Sequence, residues 1–163
     1  HLSIRRQRQM CIRDRKDIQL NNLKNESESQ ALEMKQQFKQ QILETQSQDL
    51  RSIIKPLVWA VRSEMLKTNS TDLNFYINEL VKEKGFQFIL IVDDKNLVLS
   101  STNKKWEGNP FEATGIAADL TTDSTIVKTV NDNLILASAP IMGFNKRLGT
   151  VVISFNVTPL TNN

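Results

Sequence analysis

The sequence predicts an α+β domain: a long N-terminal helix followed by a five-stranded antiparallel sheet with helices packed on one face. Three observations carry this. From Lys16 to Lys55 there is neither Gly nor Pro, and apolar residues recur at steps of three and four. After Gly85 that spacing gives way to apolar runs of strand length. Between the runs stand "DDKN", "NDN" and "GFN", residue types that turn a chain back on itself.

The helical stripe of the stem, residues 16–55 and their continuation, consists of Ala31, Met34, Phe38, Ile42, Leu50, Ile53 and Leu57, with one turn skipped at Gln46. Six basic and six acidic residues balance across 16–55, joined by eight glutamines. Such a helix would run on the order of 60 Å at 1.5 Å per residue. That exceeds the need of one small domain, so its N-terminal half is expected to project. One narrow stripe on a projecting helix suits pairing with its own copy in a parallel homodimer. Gln41 and Thr45 stand where such a seam wants Leu, and the other reading is a single, partly frayed helix.

Pro56 removes a backbone donor inside an apolar pattern that continues past it, which predicts a kink or a restart of the helix there. The segment from Pro56 to Lys67 carries Leu57, Val58, Trp59, Val61 and Met65, bulk suited to docking on a core. "TNSTD" at 68–72 ends it and offers Ser70 or Thr71 as the cap of a second helix. That helix has Leu73, Phe75, Tyr76, Leu80 and Val81 on one side, and Gly85 is placed to end it.

"FQFILIVDD" at 86–94 reads as a central strand buried on both faces. Asn96 can take the left-handed conformation a tight turn needs, and "LVLSST" at 97–102 returns as the hairpin partner. A crossover, 103–123, follows, with a weakly helical piece near Ile116–Leu120. Residues 124–130, 133–142 and 147–157 are the remaining strands. In the last, Val151, Ile153, Phe155 and Val157 share the face suited to the helices, while Val152, Ser154 and Asn156 share the other.

These strands resemble the single-Cache sensor domain, a PAS-like extracytoplasmic sensor of bacterial receptors. The resemblance rests on "FILIVDDKNLVLSSTNKKWEGNPF", "NLILASAPIM" and "RLGTVVISF", spread over roughly residues 50–160. Asp93, Ser101, Thr102 and Gly108 match the family's first half, and Ala139, Pro140, Ile141, Gly149, Val151 and Ile153 its second. Asp94-Lys95-Asn96 replaces the glycine often found in the first hairpin. Trp106 lacks the arginine and aromatic partners that mark amino-acid-binding members. The resemblance implies a PAS-like fold over 56–160, a long helix leading from a membrane anchor, and a ligand cleft on the sheet face under the crossover.

Ser100, Trp106, Lys128, Ser138, Ser154 and Asn156 are the candidate ligand-binding residues of that cleft. The other reading is a solvent-facing sheet surface with scattered polar side chains. Catalysis is not expected. Asp93 and Asp94 sit where a strand meets a turn and where Asp serves the backbone, and no Ser or Thr has a histidine base near the fold. No glycine-rich loop precedes a helix for phosphate, and His1 with Cys11 cannot build a zinc site, so no cofactor or metal is implied.

The net charge of +3 is concentrated at one end. Residues 1–15 hold five of the eight arginines and one Asp, or +4; residues 16–163 hold 16 basic and 17 acidic residues, or −1. The body offers no basic stripe to a polyanion, and nucleic-acid binding is not expected. "RRQRQMCIRDR" has no apolar period and resembles the peptide obtained when sequencing-adapter DNA is translated. Residues 1–15 are therefore expected to be spurious or disordered; the alternative is the basic flank of a membrane anchor. No apolar run reaches the roughly 18–20 residues of a membrane helix.

Together these readings point to the extracytoplasmic, periplasmic sensing domain of a membrane receptor such as a chemotaxis receptor or histidine kinase. It would be homodimeric through its stem helix and would respond to an unidentified small molecule. The competing expectation is a ligand-free assembly module with a PAS-like head and a coiled stem.

Overall fold

The computed structural model describes residues 2–67, 73–131 and 133–157. Helix α1 runs Leu2–Leu66 and α2 Leu73–Val81. The strands are β1 (Phe86–Asp93), β2 (Val98–Ser101), β3 (Ile126–Asn131), β4 (Leu134–Met142) and β5 (Arg147–Asn156). They form one antiparallel sheet in the order β2-β1-β5-β4-β3. The expected α+β architecture is the observed one.

The chain divides into two compact units, one ending at Gln41 and one beginning at Ile42. In the first, Leu20, Leu23, Leu32, Met34 and Phe38 are all exposed. In the second, Leu50, Ile54, Leu57 and Val61 are buried at helical spacing, with Leu73 and Ile77 of α2 beside them. They pack on Ile89 and Ile91 of β1, Ile135, Ala137, Ala139 and Ile141 of β4, and Val151 and Ile153 of β5. The alternation read from the last strand is met: Val151, Ile153 and Val157 join this core, and Phe155 packs against its edge.

Two local expectations are corrected. The helix does not restart at Pro56; α1 runs through it, leaving the Ser52 carbonyl without its usual donor. α1 begins at Leu2, in a stretch that has no Gly or Pro to stop it. The helical piece of the crossover is a single 3-10 turn at Phe111–Thr114, ended by Gly115 at φ 71°, and not at 116–120. The cap expected from Ser70 or Thr71 lies outside the described residues.

The first hairpin forms as its residues require. Asp93 Oδ1 accepts the N–H groups of Lys95 and Leu97, each at 2.8 Å, and Asn96 takes φ 63°. Gly85, at φ 97°, follows the end of α2, and a Cβ there would lie 2.5 Å from the Phe155 ring.

Candidate ligand face

The sheet face opposite the helices is a second apolar layer. Phe88, Leu90 and Val92 of β1, Val152 of β5, Leu136 of β4 and Val98 of β2 meet there. The crossover closes over them with buried Phe111 and half-buried Trp106, Ile116, Ala118 and Leu120. Trp106 stands edge-on to Phe88, ring centroids 5.2 Å apart. Sequence reading found no partner for Trp106 because this one lies eighteen residues upstream on another element.

Cross-strand register places the candidate residues on this face in rows. Leu90, Val152, Ser138 and Ile126 form one row, and Phe88, Ser154, Leu136 and Lys128 the next. Asn156 opposite Leu134 begins a third. Ser154 is fully buried and donates to Gln87 Oε1 at 3.3 Å. Ser138 is 5% exposed, and among the described residues its hydroxyl has no hydrogen-bond partner. Lys128 and Asn156 are exposed at the rim. The structure thus brings Trp106, Lys128, Ser138, Ser154 and Asn156 to one face.

Ser100 does not join them. Ile91 faces Ser100 but Val92 faces Val98, so Leu99 is an extra residue in β2. That bulge inverts the alternation and turns Ser100 to the helix side, where its Oγ donates to Asn74 Oδ1 of α2 at 2.7 Å. Lys104 Nζ reaches the same oxygen at 2.6 Å and Glu107 Oε1 at 2.6 Å, and the Ser101 N–H donates to Glu107 at 2.9 Å. Burial pushes the Glu107 carboxyl up, but the bonds from Lys104 and Ser101 outweigh it and hold the group below its ordinary value.

The far end of the crossover is fastened by Arg147, which sequence reading left without a role. Its Nη1 donates to the Thr122 carbonyl at 2.9 Å, its Nη2 to Thr150 Oγ1 at 2.8 Å and its Nε to the Gly149 carbonyl at 3.3 Å. Nearby Asp119 is held below its ordinary value by the N–H and hydroxyl of Thr121, with further help from Lys128 and Arg147. The rim therefore carries both signs of charge: Lys128 and Arg147 against Asp119.

The face offers hydroxyls, an amide, an indole N–H and an ammonium group around an apolar floor, which suits a small ligand with an apolar body and hydrogen-bonding ends. Among the described residues no three His, Cys, Asp or Glu side chains gather in a way that could hold a metal ion. No helix among them is long and apolar enough to cross a membrane. No protein-family model matches the chain, and no curated protein matches it.

Proposed function

We propose that the unit beginning at Ile42 is an extracytoplasmic sensing module of the single-Cache kind, taking a small polar molecule on the sheet face beneath the crossover. The observation that carries this is the placing of Ser138 and Ser154 on adjacent strands of an otherwise apolar layer, the Ser138 side chain 5% exposed and without a hydrogen-bond partner among the described residues. A serine hydroxyl both donates and accepts, so the pair can bond a ligand's polar ends. The crossover is held by Glu107, by backbone bonds between 108–111 and the first hairpin, and by Arg147 at Thr122, while Ile116, Ala118 and Leu120 rest on the layer by apolar contact. A ligand there shifts how the crossover sits, and the Asn74–Lys104–Glu107 bonds link that segment to α2. The module belongs to a membrane receptor whose anchor and output lie elsewhere, and pairs through the exposed stripe Leu20, Leu23, Met34 and Phe38.

The reading is tested by thermal-shift screening of the full chain against small acids, amines and sugars. A ligand present at a hundred times its dissociation constant stabilises by about 2.7 kcal/mol. The expected result is a concentration-dependent rise that Ser138→Leu removes while the variant stays folded. A shift that survives both Ser138→Leu and Ser154→Leu would place the ligand elsewhere and overturn the reading.

One observation favours the second reading, a ligand-free assembly module: the crossover already fills much of the face with Phe111, Trp106 and Leu120. That reading expects no compound to give a Ser138-dependent shift.

A further inference from the structure

Between α1 and α2 lies an open groove of about 640 Å³, on the side of the molecule away from the crossover. Ser52, Pro56 and Ala60, one turn apart on α1, give it a shallow, small-residue wall, and Tyr76 and Leu80 of α2 give it an apolar one. Glu79 and Glu83 stand on its α2 side. Beside it, but outside it, Trp59 is 75% exposed. Two residues past buried Leu57, it points about 200° around the helix, away from the core.

We infer that this groove receives Trp59 of a second copy, in a parallel twofold pairing of the α1 helices. The inference rests on the stem pairing proposed above and adds a specific contact to it. The first argument is level. The groove is lined by α1 residues 52–60, and Trp59 belongs to that same interval. A twofold axis along the helices therefore sets each indole against the partner's groove, and the contact is reciprocal. Small side chains at Ser52, Pro56 and Ala60 let the helices approach closely enough for the ring to enter.

The second argument is charge. Lys55, one turn before Trp59, and Arg51, one turn earlier, are exposed and make no ion pair among the described residues. Glu83 on the groove side makes none either, while Glu79 pairs with Lys82 just past the end of α2. Cations flanking the knob and carboxylates flanking the hole are complementary between copies. The indole N–H, a donor only, also finds acceptors in those carboxylates and in the Ser52 carbonyl that Pro56 leaves without a helical donor. The third argument is exposed apolar surface. Ile53 and Tyr76 line the groove at 37% and 38% exposure, and exposed apolar side chains grouped with Trp59 mark an interaction surface.

The test uses the full chain with Trp106→Phe, so that Trp59 is the sole indole, followed by fluorescence and sedimentation over a concentration series. The expected result is a blue shift of Trp59 emission that tracks dimer formation. Lys55→Glu should weaken the dimer about tenfold or more, and Lys55→Glu combined with Glu83→Lys should restore it. A dimer whose Trp59 emission stays that of exposed indole overturns the docking and leaves the stem pairing standing. A monomer at every concentration overturns both. A blue shift that appears only with anionic lipid vesicles, the protein remaining monomeric in solution, overturns the docking and assigns the surface to lipid.

Discussion

The guanidinium of Arg147 donates to the hydroxyl of Thr150 at 2.8 Å, although residues three apart in a regular strand face opposite sides of the sheet. A bulge allows it. Ile141 pairs with Gly149 but Met142 with Arg147, so Leu148 is an extra residue and Arg147 is turned from the helix side to the crossover side. The same device at Leu99 does the reverse to Ser100. Two single-residue bulges thus decide which polar groups hold the crossover and which tie the sheet to α2.

Arg147→Ala should lower stability by about 1.5–2 kcal/mol in urea denaturation, the range for charge-assisted bonds, trimmed because the group is partly exposed. Arg147→Lys should recover less than half, since an ammonium cannot reach Thr122, Gly149 and Thr150 from one planar fork. Hydrogen exchange should rise first at 116–124. Unchanged exchange there would show that Arg147 does not hold the crossover.

Gly149→Ala should be among the most damaging single changes, at least about 3 kcal/mol and enough to abolish folding in a marginal domain. The added Cβ would lie 2.0 Å from the Val92 carbonyl oxygen, which belongs to the neighbouring strand and cannot move without opening the β1–β5 ladder. Gly108→Ala is the control. Its Cβ meets nothing within 4 Å, so only its φ of +76° is strained, at a cost of about 1–2 kcal/mol. Equal losses from the two, measured by denaturation, would contradict this geometry.

Asn74→Ala and Ser100→Ala should show coupling in a double-mutant cycle. Asn74→Ala leaves the buried Ser100 hydroxyl, 1% exposed, without its acceptor, at about 1–3 kcal/mol. Ser100→Ala alone should cost less, because Lys104 still holds Asn74. The double variant should fall short of the sum by at least about 0.5 kcal/mol, and strict additivity would deny the contact.

How much of this was legible depended on whether the signal was local. Period placed Leu50 and Leu57 in the core but chose Ile53, which is 37% exposed, where the buried residue is Ile54; alternation assigned Val151, Ile153 and Val157 to the helix face correctly. Asn96 was placed by turn chemistry between adjacent residues. Ser100 was misplaced because alternation counts every residue, and nothing in "LVLSST" announces that Leu99 is the one to skip. Arg147 was missed for the same reason at Leu148, and because Thr122 lies 25 residues away. The α1–α2 groove with Trp59 beside it was equally invisible: exposed bulk on a helix reads, in one dimension, like bulk that docks on a core.

The last prediction concerns acid. Glu107 has its carboxyl held below the ordinary value near 4.5, burial being overcome by the Lys104 and Ser101 bonds. A group whose folded value is depressed adds stability that is fully present above the unfolded value and disappears as pH falls through the folded one. The stability difference between the wild type and Glu107→Gln should therefore be flat above about pH 5.5 and shrink as pH falls below 4.5. Gln is the right comparison, because its carbonyl oxygen can still accept from Ser101 and Lys104 but does not titrate. Lys104→Met should move the Glu107 titration upward, since it leaves burial opposed only by the Ser101 N–H. Carboxyl NMR across pH 2.5–6 reads both effects directly. A Glu107 titration at or above 4.5 in the folded protein would mean that burial wins and that the Lys104 and Ser101 bonds do not form in solution.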